Sequence, residues 1–126
     1  MADPYRRYNQ VAGLGEISHR AAEAMALFTC ARDLALVVDH WDQMKDQLDG
    51  ALEKNRLLWT FLATEVTENS ALTDEIKQNV LNLAMFVFKR TFELISTPSA
   101  DGVGVLININ RTLATGLSRE PDAEGA

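Results

Sequence analysis

From Ile17 to Val66, apolar residues recur at a spacing of three and four, broken only by Asn55 on the same phase, and no proline interrupts them. The first part of the series is Ile17, Ala21, Met25 or Ala24, Phe28, Ala31, Leu34, Val38 and Trp41. Met44, Leu48, Ala51 or Leu52, Leu58, Leu62 and Val66 continue it in the same phase. A 3–4 spacing puts all these side chains on one side of a helix, which commits nearly half the chain to amphipathic helix. A single helix of about fifty residues would far exceed the usual length of roughly 8–20. A break is therefore expected near Asp46–Gly50, where a glycine follows three aspartates crowded around Lys45 and Leu48. Glycine costs a helix only about 1 kcal/mol relative to alanine, so a continuous helix is the alternative.

Thr67–Thr73 has the composition of a turn and ends in a helix start. Thr73 can cap, and Asp74 and Glu75 fall in the first turn, where the positive end of the helix dipole favours acids. The helix predicted from Asp74 to about Ile95 carries two apolar arcs. Ile76, Val80, Leu83, Ala84, Val87 and Leu94 form one; Leu81, Met85, Phe88, Phe92 and Ile95 form the other, roughly 100° around the axis. Such a helix either has neighbours on two sides or keeps one side for a partner. Pro98 ends it, and Ser99 or Asp101 can cap a last helix with Val103, Leu106, Ile107, Asn110, Leu113, Ala114 and Leu117 on one face. Val103–Ile109 also alternates like a strand, but a lone strand would have no partner in this chain. Met1–Gly15, with Tyr5 and Tyr8, reads as a flexible N-terminal arm, and 119–126 as a disordered tail. The expected fold is all-α: a small bundle of about four helices in one domain over residues 16–118.

The 126 residues, 47% hydrophobic, are enough for one core and too few for two. A net charge of −6 opposes general nucleic-acid binding. The single cysteine excludes an intrachain disulfide and a cysteine-based zinc cluster. No signal-peptide run and no transmembrane-length apolar stretch occurs, so a cytoplasmic domain that does not enter the membrane is expected.

Candidate chemistry is sparse. His19 and His40 are too far apart in sequence to form a helical ligand pair. His40, beside Asp39, Trp41 and Asp42, sits among groups that would repel an incoming phosphoryl group. Cys30 lies in an apolar stretch, where a thiol is normally an inert packing residue. Asp39, Asp42, Asp46 and Asp49 spread along a solvated face. Gly102 and Gly104 lack the lysine and strand of a phosphate-binding loop. No catalytic, cofactor-binding or metal-binding residues are expected, and the chain reads as a non-enzyme.

Charge is unevenly distributed. Asp33–Glu75 holds ten acids and three bases (Lys45, Lys54 and Arg56), whereas Ile76–Arg119 holds two acids and five bases: Lys77, Lys89, Arg90, Arg111 and Arg119. The two halves either complement each other within the fold or offer a basic docking patch. Two amides fall on apolar faces, each followed by arginine: Asn55–Arg56 and Asn110–Arg111. Burying an amide unpaired costs on the order of 1–3 kcal/mol, so these two either pair to set helix register or serve as handles for a partner's backbone.

Several of these segments together resemble the FlaF family, small flagellar biosynthesis proteins of alphaproteobacteria. They are Asn55–Arg56–Leu57–Leu58–Trp59, Leu72 opening a helix, Leu83–Ala84–Met85–Phe86–Val87, Leu106–Ile107–Asn108–Ile109–Asn110–Arg111 and Gly116–Leu117. The resemblance spans about Ala51 to Leu117. Thr73 stands where a proline is common in the family, and the phenylalanines between 86 and 92 make the third helix unusually aromatic. The resemblance implies a non-enzymatic bacterial role in flagellin synthesis or export, beside FlbT, a small protein that restrains translation of flagellin messenger. Two mechanisms follow: a chaperone that holds an amphipathic terminal helix of flagellin in a groove, or a regulator of flagellin translation acting through FlbT or the messenger. In the first, Trp59, Leu81, Met85, Phe88 and Phe92 are the expected groove, because large or adaptable apolar side chains anchor partner helices. The bland alternative is that these residues complete the core.

Overall fold

The computed structural model describes residues 14–119. Four long helices account for nearly all of them, and there is no strand among the described residues: α1 (Leu14–Asp39), α2 (Leu48–Glu68), α3 (Asp74–Ser96) and α4 (Ala100–Ser118). Leu14 and Gly15, assigned from composition to the arm, are thus helical. The rest of the arm, with Tyr5 and Tyr8, and the tail beyond Arg119 lie outside the described residues.

The long 3–4 stripe is divided, but earlier than expected. α1 ends at Asp39, one helical turn follows at Trp41–Met44, a 3-10 turn covers Lys45–Gln47, and α2 opens at Leu48. Gly50 is inside α2, and a β-carbon added there would meet nothing within 4 Å. An exposed glycine costs a helix too little to decide where the chain reverses. The break falls instead where Trp41 and Met44 pack against the core from the connector, which lets α2 fold back along α1.

The starts of α3 and α4 follow from capping. Thr73 Oγ1 accepts from the Ile76 amide and Ser99 Oγ from the Gly102 amide, each satisfying an amide that has no partner within its helix. Between α2 and α3, Asn69 Oδ1 accepts from the Ala71 amide at 2.9 Å, and the Leu72 amide closes the turn on the Asn69 carbonyl at 3.2 Å.

Each helix buries a 3–4 stripe. The stripes are Ala24, Leu27, Ala31, Leu34 and Val37 on α1; Leu48, Leu52, Asn55, Trp59 and Leu62 on α2; Ala84, Val87, Thr91 and Leu94 on α3; and Val103, Leu106, Ile107, Asn110 and Ala114 on α4. On α1 the buried face is rotated from the expected one: Leu27 and Val37 are buried, while Met25 and Phe28 are exposed. The small side chains of Ala24 and Ala31 let α4 approach α1 closely, and these two helices form the most extensive pair. α3 packs mainly on α2 and more lightly on α4, so it is not the central helix. Where α3 turns into α4, Gly102 permits a tight approach: a β-carbon there would lie 2.8 Å from Leu94 Cδ2 and 2.7 Å from Ser99 Oγ.

Candidate functional site

Three of the residues singled out from sequence meet in the core. Trp59 Nε1–H donates to Asn110 Oδ1 at 2.9 Å, and Asn110 Nδ2 donates to Asn55 Oδ1 at 2.7 Å and to the Leu27 carbonyl at 3.3 Å. All three side chains are fully buried. The network joins α1, α2 and α4 at one level, and its geometry is that of a register-setting cluster. Trp59 therefore does not line a groove. A buried indole needs an acceptor for its N–H, and Asn110 from α4 draws it inward. The arginines beside the amides stay outside this cluster. Arg56 forms two hydrogen bonds to the Glu53 carboxylate, at 2.9 and 2.7 Å, and these hold that carboxyl below its ordinary range. Arg111 is exposed on α4.

The other four members of the expected groove lie on α3. Met85 and Phe92 are the most open, with 67% and 74% of their surface exposed. Leu81 and Phe88 are half-buried, Phe88 packing against the edge of the core. Ile95, also exposed, extends the same arc. The second apolar arc of α3 is thus uncovered at Met85, Phe92 and Ile95, and partly covered at Leu81 and Phe88. Beside it the Arg90 guanidinium sits 5.3 Å above the Phe86 ring, with Nε 3.4 Å from a Glu93 carboxylate oxygen.

The reactive side chains make a short account. Cys30 is buried, and burial, with Asp33 adding to it, pushes its thiol pKa up, so the thiolate is disfavoured. His40 is exposed at the end of α1, its Nδ1 3.3 Å from the Leu36 carbonyl. Asp39, Asp42, Asp46 and Asp49 are all exposed. His19 is better connected than its sequence neighbours indicate, because Nε2 lies 3.2 Å from Glu23 and 3.1 Å from Glu65. The ligand-type atoms of these three residues lie within 4.8 Å of one another, so among the described residues they are the set that could hold a metal ion. The imidazole already bridges both carboxylates, and the cluster works as a polar clasp between α1 and α2. Burial raises the Glu23 pKa, His19 opposes the shift, and the Glu65 charge adds to it. The i, i+4 relation of His19 and Glu23 was legible in the sequence; the approach of Glu65 from α2 was not.

No helix among the described residues is long and apolar enough to cross a membrane. No curated protein and no solved structure matches the chain. A family model described as flagellar protein FlaF matches residues 5–117, well beyond the Ala51–Leu117 stretch that carried the resemblance. The match takes in the four helices, except for the last residue of α4, together with their connections, and the chain therefore belongs to the FlaF family of flagellar proteins.

Proposed function

We propose that this chain is a non-enzymatic flagellar biosynthesis protein that binds flagellin in the bacterial cytoplasm as a secretion chaperone and so promotes flagellin synthesis and export. The observation that supports this reading is the uncovered arc of α3. Met85, Phe92 and Ile95 are more than half exposed, and Leu81 and Phe88 flank them. A contiguous apolar strip on a folded domain marks a surface that another chain covers. Spaced along one helix, these side chains suit the apolar face of an amphipathic segment such as a flagellin terminal helix.

The test is size-exclusion chromatography with light scattering on the purified chain, alone and mixed with monomeric flagellin. A discrete complex of defined mass is expected for the native chain. The Met85→Asp, Phe92→Asp variant is expected to stay folded and lose the complex, because neither side chain is part of the core. Absence of any complex with the native protein would move the role to FlbT-mediated control of flagellin translation. A complex unaffected by the double substitution would remove α3 as the contact face.

A further inference from the structure

Between α1 and α4, on a side of the bundle to which α3 contributes nothing, runs an open groove of about 660 Å³. Its apolar part is made by Ala21, Ala24, Met25, Phe28 and Leu117. Its polar rim carries four arginines: Arg20 and Arg32 from α1, and Arg111 and Arg119 from α4 and its end. Among residues 19–119 no acidic side chain lines it, although acids outnumber bases in this chain, 18 to 12. Among the described residues Arg111 and Arg119 make no salt bridge, and Arg32 reaches only its sequence neighbour Asp33, at 3.7 Å. Met25 is 71% exposed and Phe28 41% exposed, so apolar surface and charge face solvent together.

Arg20 and Arg32 are twelve positions apart on one helix, which sets the groove length at about 18 Å, or slightly more than three helical turns. An apolar strip of that length rimmed by cations matches one kind of occupant. We propose that the α1–α4 groove docks an amphipathic helix of about three turns from a partner protein, with its apolar stripe flanked by carboxylates. The apolar stripe covers Met25, Phe28 and Leu117, and the carboxylates pair with the arginines on both walls. Arginine suits this rim because its planar guanidinium binds carboxylate in a two-point fork while its stem lies along apolar surface. The inference concerns a surface separate from α3 and holds whichever protein occupies that face.

The experiment titrates the full chain with two synthetic helical peptides of about fourteen residues that share one leucine stripe, flanked by glutamate in one and by lysine in the other. The glutamate peptide is expected to bind about tenfold or more tightly than the lysine peptide, with the preference shrinking as salt is raised. In the Arg32→Glu, Arg111→Glu variant, one exposed charge on each wall is reversed, and the preference is expected to invert. Thermal melting checks that this variant remains folded. Equal affinity for the two peptides, absence of binding, or a preference unchanged by the double reversal would overturn the proposal. So would tighter binding of a single-stranded oligonucleotide than of the glutamate peptide, which would assign the arginines to phosphates. The chain's own Glu120, Asp122 and Glu124 directly follow the groove in sequence. If neutralising them (Glu120→Gln, Asp122→Asn, Glu124→Gln) strengthened glutamate-peptide binding about tenfold, the tail would be the occupant and the partner helix would not.

Discussion

Asn110 ties α4 to two other helices through a single amide. It accepts from Trp59 and donates to Asn55 and to the Leu27 carbonyl, so truncating it strands the Trp59 indole N–H and the Asn55 side-chain oxygen, while the Leu27 carbonyl keeps its bond within α1. Each stranded group costs roughly 1–3 kcal/mol, and the total for Asn110→Ala is expected to exceed about 2 kcal/mol in urea unfolding. Asn55→Ala is expected to cost less. It breaks one hydrogen bond but also removes Asn55 Nδ2, a buried donor that has no partner among the described residues. Gly102 is constrained by space rather than by hydrogen bonding. Its missing β-carbon leaves room for Leu94, which is buried, and for the Ser99 hydroxyl that caps α4. Gly102→Ala is therefore expected to destabilise by about 1–3 kcal/mol, despite the higher helix propensity of alanine. The amides were visible in the sequence because they interrupt an apolar phase. The requirement for glycine at 102 was not, since it depends on the approach of α3 from outside its own helix.

Among the elements, α2 and the connector before it carry the clearest departure from expectation. Gly50 faces solvent inside the first turns of α2, so Gly50→Ala is expected to stabilise the protein by about 0.5–1 kcal/mol, read as a higher denaturant midpoint. A chain that reversed direction at Gly50 would respond in the opposite sense. The clasp between α1 and α2 sets a pH dependence. The Glu23 pKa is raised above its unfolded value by burial, with Glu65 adding to the shift and His19 and Arg20 reducing it. A raised carboxyl favours the fold fully below its unfolded pKa, and that contribution is lost as pH rises through its folded pKa. Glu23→Gln removes this loss. The variant's melting temperature is expected to gain on the native protein's as pH rises from the acid side toward neutrality, and a flat difference across that range would exclude the effect. The native protein's Glu23 stays partly solvated, which keeps the change small.

Over the whole molecule, the uncovered arc of α3 and the buried stripe beside it separate binding from stability. Replacing Met85, Phe92 and Ile95 together by serine is expected to leave the melting temperature nearly unchanged. Leu94→Ala alone, on the buried side, is expected to cost about 2–5 kcal/mol and lower it by ten degrees or more. The all-helical fold, the caps at Thr73 and Ser99, the stop at Pro98 and the buried phase of α4 were legible in the sequence because each depends on residues within one helical turn of one another. The FlaF-like boxes around Trp59 and Asn110 were legible too, without showing that the two residues touch. Local chemistry determines whether a segment is helical and which stripe is apolar, because spacing and capping act along the chain. It does not determine which of two apolar arcs is covered. Met25, Phe28 and the second arc of α3 look like core by composition and face solvent, because the small residues of α1 draw α4 close and α2 takes the other side of α3. The removal of Trp59 from the surface, the arrival of Glu65 at His19 and the gathering of four arginines around one groove were all decided by the packing of the helices, since each joins residues far apart in the chain.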